Sequence, residues 1–192
     1  CDNGAVGALS AAGNVYTGTF TPTAEVEDDS NTCVVGTVWT DTAGNTGVGA
    51  TSSNYVIDGV DPLVTTIAMS SSALKVGETT TLTIVFSEAV AAFASDSDVT
   101  CANGALATMT TSDQITWAGT FTPTDNIDDD SNICTVADSY TDTLGNGVGE
   151  AQSTINYDID SIEPTVSSIS ISDTSLIEGD TSTLTITLSE AN

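Results

Sequence analysis

The sequence predicts an all-β protein made of tandem two-sheet sandwiches, and three observations predict it. Short blocks recur about a hundred residues apart, apolar residues alternate with Thr and Ser in short runs, and Gly, Asn and Asp clusters punctuate those runs. With 39% hydrophobic but only 5% aromatic residues, the chain has ordinary core material, in the composition of short strands and tight turns rather than long helices.

The repetition sets the organisation. GTFTPT at 18–23 returns at 119–124, DDSNTC at 28–33 returns as DDSNIC at 129–134, and DTAGN at 41–45 returns as DTLGN at 142–146, all at an offset of 101 residues. Further on, NYVIDGVDP (54–62) matches NYDIDSIEP (156–164), and LKVGETTTLTIVFSEA (74–89) matches LIEGDTSTLTITLSEA (176–191), at an offset of 102. A one-residue slip is what a loop insertion produces. Asp61-Pro62 and Glu163-Pro164 mark seams, where an acid and a proline separate one strand-like run from the next. The expected units are therefore 1–60, the closing part of one repeat; 61–162, an entire repeat; and 163–192, the opening strands of a third.

Within the entire repeat, Val64 to Met69 reads as a first strand. Thr79 to Phe86 alternates, with Leu82, Ile84 and Phe86 on one face and Thr81 and Thr83 on the other. Ile115, Trp117, Gly119 and Phe121 alternate with Thr116, Ala118, Thr120 and Thr122, and strands are expected at Ile133 to Tyr140 and Ser153 to Ile159. Asn103-Gly104 and Asp142 to Asn146 supply turns. About seven short strands in a hundred residues is the pattern of an immunoglobulin-type sandwich.

Taken in order, LKVGETTTLTIVFSEAV, ITWAGTFTPT, YTDTLGN and NYDID followed by an acid-proline seam resemble the bacterial Ig-like repeats of giant surface adhesins and related extracellular matrix proteins. The resemblance spans all 192 residues. It implies a tandem array, export to the cell surface and calcium that stiffens the array. Many repeats of this kind lack cysteines, whereas each repeat here has two.

Charge narrows the partners. Twenty-seven acids face one base, Lys75, for a net charge of −26. Nucleic acid is excluded as a partner because binding it needs Lys and Arg against phosphate. The carboxylates must be relieved by salt, distance or bound cations, and divalent metal is the natural candidate. No run approaches the roughly 18 to 20 apolar residues of a membrane span, so no membrane insertion is expected. No export signal opens the chain, so any signal or anchor is expected outside these residues.

Four cysteines without any His disfavour zinc and favour two disulfides in an oxidising compartment. Cys1 and Cys33 map onto Cys101 and Cys134, so pairing within each repeat is expected, Cys1 with Cys33 and Cys101 with Cys134, with links between chains as the alternative. An extracellular location follows.

Asp58 and Asp61, repeated as Asp160 and Glu163, meet the turns Asp41 to Asn45 and Asp142 to Asn146 only if strand ends and turns converge at one pole of the sandwich. Calcium needs six to eight oxygens, which Asp41, Asn45, Asp58, Asp61, Asp142, Asn146, Asp160 and Glu163 would then supply at the junctions. The competing reading is that they make Asx turns and keep sheet edges soluble. The denser acidic run Asp125, Asp128, Asp129 and Asp130, matched by Glu25, Glu27, Asp28 and Asp29, lacks EF-hand spacing and is expected to be a solvated loop. Trp117 with Tyr16, and Phe121 with Phe20, are expected to pack in the core. Tyr140 and Trp39 are expected to be partly exposed beside a turn.

No enzyme is expected. His is absent, no G-x-S-x-G elbow occurs, and Lys75 alone builds no anion clamp. The carboxylate pairs sit on turns that recur in each copy, as catalytic sites seldom do. Three functions remain: a structural stalk or fibre whose repeats touch neighbouring repeats or copies of the chain head to tail, an extracellular filament completed by strand exchange, and a glycan- or protein-binding module.

Overall fold

The computed structural model describes residues 1–91, 93–147, 151–154 and 156–190. Residues 1–58 hold strands β1 (Gly4–Val6), β2 (Ser10–Ala12), β3 (Val15–Thr17), β4 (Phe20–Pro22), β5 (Glu27–Asn31), β6 (Val34–Val35), β7 (Ala50–Thr51) and β8 (Tyr55–Asp58). They form antiparallel pairs β1–β4, β2–β3, β5–β8 and β6–β7.

The central part runs β9 (Val64–Met69), β10 (Ala73–Lys75), β11 (Thr80–Phe86), a single helical turn α1 (Ser95–Asp98), β12 (Val99–Cys101), β13 (Gly104–Leu106), β14 (Thr110–Thr111), β15 (Thr116–Pro123), β16 (Asp128–Asn132), β17 (Cys134–Val136), β18 (Gln152–Ser153) and β19 (Tyr157–Asp160). One sheet has the order β13-β15-β11-β9, with β14 also on β15. Facing it are β10-β19-β16 and β12-β17-β18, in which β10 runs parallel to β19. This is a β-sandwich. The chain continues into a hairpin of β20 (Val166–Ile171) and β21 (Leu184–Leu188).

Alternation explains why β11 lies at the centre. Leu82, Ile84 and Phe86 are at most 2% exposed and face the second layer, while Thr81 points to water. Burying side chains of this size is worth roughly 1.5–3 kcal/mol each. They meet Phe121, Val90, Val99, Met109, Cys134, Val136, Tyr157 and Ile159 in one core. Phe86 stacks edge-on against Phe93 and Tyr140 at 5.2 and 4.8 Å, and Phe121 against Tyr157 at 5.4 Å.

The DDSN motif, matched in both copies, is a hydrogen-bonded lock. Asn132 is fully buried; its Nδ2 donates to the carbonyls of Asp129 (2.7 Å) and Tyr157 (3.1 Å), and its Oδ1 accepts from Asn103 Nδ2 (2.8 Å). Asn31 repeats the pattern with Asp28, Tyr55 and Asn3. Asn3 and Asn103 both take the left-handed conformation at φ 49°, which Asn tolerates better than most residues. The glycine after each must stay small, because a Cβ on Gly104 would strike the Phe121 ring and one on Gly4 the Phe20 ring.

Several expectations need correcting. The acidic runs are turns only at Asp125 and Glu25: Asp128 to Asp130 lie in β16 and Glu27 to Asp29 in β5, each paired with the strand that ends at the seam, because the buried Asn of the lock holds the acidic stretch in the ladder. Tyr140 is fully buried rather than partly exposed, since the core needs its ring against Phe86. Tyr16 is 67% exposed although its counterpart Trp117 packs on the core. The reason is positional: Tyr16 lacks a facing β11 and Phe93. The strand expected at Ile133–Tyr140 shrinks to β17. The one at Ser153–Ile159 is split into β18 and β19, with Ile155 outside the described residues.

Candidate functional site

The turn after Tyr140 is built around one carboxylate. Asp142 Oδ1 accepts from the N–H groups of Leu144 (2.8 Å), Gly145 (2.6 Å) and Asn146 (2.8 Å), and its Oδ2 accepts from Asn146 Nδ2 at 2.6 Å. Gly145 at φ 91° closes the turn in a region that side chains avoid. Asp142 is 2% exposed. Burial pushes its carboxyl up, but the donors from Asn146, Leu144 and Gly145 outweigh that and leave it below the usual carboxylate range.

That turn grips the end of the preceding segment. Asn146 Nδ2 also donates to the Asp58 carbonyl at 2.9 Å, and Gly147 is open enough that the Asp61 carboxylate lies where its Cβ would be. Asp58, Glu88 and Asp142 each place a carboxylate oxygen within 4.8 Å of the others. Burial, and then the charges of Asp58, Asp142, Glu27 and Asp61, hold the Glu88 carboxyl above its ordinary value. Strand ends and turn thus converge at one pole.

The second seam repeats the acids. Asp160, Glu163 and Glu190 line one open surface depression, together with Lys75. Glu190 Oε1 is buried without a hydrogen-bond partner among the described residues. Lys75, the chain's one base, also forms an exposed pair with Glu78 at 3.6 Å.

The structure therefore brings together Asp58, Asp61, Asp142 and Asn146, and separately Asp160 and Glu163. Asp41 and Asn45 make the same turn, with Asn45 Nδ2 on Asp41 Oδ2 at 2.8 Å, but stand exposed, with no side-chain hydrogen bond to either group among the described residues. That Asn45 contact, followed by the backbone N–H groups of the turn, holds Asp41 below its usual range. Glu88 and Glu190 were missed by sequence reasoning. The signal was present, for SEA closes both matched blocks at 87–89 and 189–191.

Each cysteine pair is a disulfide, Cys1 with Cys33 and Cys101 with Cys134. The second is set by register, since β12 and β17 place Cys101 opposite Cys134.

Among the described residues, no helix is long and apolar enough to cross a membrane. Compared with known families, residues 1–57 and 58–159 each match the model of a bacterial Ig-like domain. No curated protein matches, and no solved structure does.

Proposed function

This chain belongs to the bacterial Ig-like domain family, and we propose that it is a stretch of an extracellular, cell-surface stalk or fibre of the adhesin type, in which units 1–60, 61–162 and 163–192 follow one another head to tail. The observation that carries this reading is the grip of Asn146 on the Asp58 carbonyl, two residues 88 apart in sequence. The turn of the central unit holds the end of the unit before it. Contacts made only between neighbours let an array grow without redesign. Two disulfides support an oxidising, extracytoplasmic setting. The unit's role is mechanical rather than catalytic.

Calcium is proposed to stiffen the seams. The residues present fit a hard cation: three carboxylates crowd at Asp58, Glu88 and Asp142 with Asp61 beside them, the chain's one base is engaged with Glu78, and burial and like charge push the Glu88 carboxyl above its ordinary value, a strain that a cation would relieve. Asp58, Asp61 and Glu88 would hold the ion, with Asp142 anchoring the turn beneath it. At the second seam Asp160, Glu163 and Glu190 would do the same, and the unpartnered Glu190 oxygen supports this.

Small-angle scattering and thermal melting of the chain, first with calcium and then with EGTA, test both parts. An extended particle that melts higher with calcium is expected, by about 2.7 kcal/mol at a hundredfold excess over the dissociation constant. Melting and length that ignore EGTA would remove calcium from the reading. A compact particle, folded back at the seams, would remove the stalk.

A further inference from the structure

Strand order in the central unit decides how it carries tension. β10, near the start of the unit, runs parallel to β19, its last strand, with Ala73 opposite Asp158, Leu74 opposite Ile159 and Lys75 opposite Asp160. The Asp158 N–H extends this ladder by donating to the Ser72 carbonyl at 2.8 Å. A pull on the two ends of the unit drags β10 backward from its first residue and β19 forward from its last. In a parallel pair those pulls oppose each other along the strands, so the evenly spaced hydrogen bonds are sheared together instead of opening one at a time. The middle of the ladder is well covered, since Leu74 is 4% and Ile159 1% exposed, both in the core. Hydrogen bonds so poorly solvated have no water ready to replace them as they stretch. Ahead of β10, β9 is tied to β11 by its own ladder from Val64 to Met69.

The disulfide of the same unit lies off this path. Cys101 and Cys134 join β12 to β17, and among the described residues neither strand pairs with β10 or β19. While the β10–β19 ladder holds, tension runs from β9 and β10 across to β19 and bypasses the bond. Once the ladder parts, the residues before Cys101 and after Cys134 can be drawn out, and the disulfide becomes the link between them. The stretch that it closes, a sequence separation of 33, cannot lengthen. Inside that closed loop lie β13, β14, β15 and β16, with β13 and β14 both paired to β15. The Asn103 amide is there too, bonded to Asp129 and Asn132 at 2.8 Å each.

We propose that the central unit is a load-bearing element with a two-stage response to tension: the parallel β10–β19 ladder is the clamp that sets the force at which the unit opens, and Cys101–Cys134 is the stop that limits how far it then extends. Forced unfolding is governed by the barrier to opening, and the clamp is the part of that barrier the load meets directly. The stop withholds about 110–120 Å of chain, at the roughly 3.3–3.6 Å per residue of an extended backbone. It also keeps Asn103, Asp129 and Asn132 together for refolding when the tension falls. The inference rests on the stalk reading for the source of the load and goes beyond it in assigning the residues that bear it.

The test stretches the oxidised 192-residue chain in a single-molecule force instrument. One handle is on the last residue and the other on p-azidophenylalanine at position 53, an exposed serine that leaves Cys1–Cys33 out of the path. The central unit should open in one main step, and dithiothreitol added under held force after that step should release a further lengthening of about 110–120 Å. No further lengthening would overturn the stop. Moving the first handle to position 79, an exposed threonine just past β10, makes the load enter β10 from its last residue. The same ladder then opens like a zip, one bond at a time, and the rupture force should fall. An equal or higher force would overturn the clamp. Val76, on the near side of the same turn and 45% exposed, is the second attachment point if a handle at 79 lowers the melting temperature. Failure of the clamp or the stop leaves the extended shape seen by scattering untouched, and a compact particle there leaves the rupture forces untouched.

Discussion

Asn146 spans the seam: one side-chain amide donates both to the Asp142 carboxylate of its own turn at 2.6 Å and to the Asp58 carbonyl of the preceding segment at 2.9 Å. The first bond has a charged acceptor and the second a neutral one, so Asn146→Ala should cost about 2–3 kcal/mol by urea denaturation. Asn45→Ala removes only the exposed copy of the turn contact, and a loss within about 0.5 kcal/mol is expected. Equal costs at the two sites would show that the seam adds nothing.

Acidity should act on this pole in two opposite directions. Glu88 has its folded-state value raised above the ordinary 4.5, so the folded chain holds the proton more tightly than the unfolded one. Stability therefore falls as pH rises through the window between 4.5 and the higher folded value. Asp142 is lowered from 3.8, and its contribution is present above 3.8 and lost as pH falls through its folded value. Without divalent cations, Glu88→Gln should raise the melting temperature at neutral pH and flatten the decline above 4.5, while leaving the acid limb below 3.8 in place. A variant that melts lower at neutral pH would mean that the Glu88 charge is already compensated.

How far the residues could be read without coordinates depended on whether a signal was periodic or three-dimensional. β11 was legible because its apolar side chains fall on alternate positions, and both β9 and β11 because each run recurs one repeat later. The seam cluster was half legible: Asp58, Asp61, Asp142 and Asn146 stood out as repeated acids and turn residues. Glu88 did not, because a lone Glu at the end of a core strand looks like an ordinary solvated end. The acidic strands β5 and β16 were unreadable from propensity, since consecutive Asp residues disfavour strands. What overrides propensity is a tertiary feature, the buried Asn that binds Asp129 and Tyr157 across the ladder. Tyr140 failed for a similar reason, as proximity to a turn says nothing of the Phe86 ring above it.

The two disulfides close loops of nearly equal length, with separations of 32 and 33, but differ in cover. Cys134 is 0% exposed in the completed sandwich, whereas Cys1 is exposed and Cys33 only half-buried. Reductant should therefore open Cys1–Cys33 first, with Cys101–Cys134 resisting until the central repeat unfolds, as peptide mapping after timed alkylation would reveal. Replacing Cys101 and Cys134 together by Ala should cost about 3–4 kcal/mol, most of it through the unfolded chain. Reduction of both pairs at one rate would argue that the central core gives no protection.

The Asn132 lock should outweigh any single surface contact in the chain. Its side chain is fully buried and makes three hydrogen bonds, to Asp129, Tyr157 and Asn103, while its own N–H is satisfied by Asn156 Oδ1 at 2.7 Å. Truncation leaves two buried carbonyls and one amide short of partners, and the penalty for unsatisfied buried groups exceeds the net worth of the bonds themselves. Asn132→Ala is expected to cost about 2–4 kcal/mol. Asn132→Asp should be worse, because it replaces the amide donor to both carbonyls and sets a second carboxylate beside Asp129 in a chain with one base. Asn103→Gly is the informative control: it deletes one partner of the lock but suits the left-handed backbone at φ 49°, so the loss should stay near 1 kcal/mol. If Asn132→Ala melts with the unaltered chain, the acidic strand is held by its ladder bonds alone, and the shared DDSN motif needs another explanation.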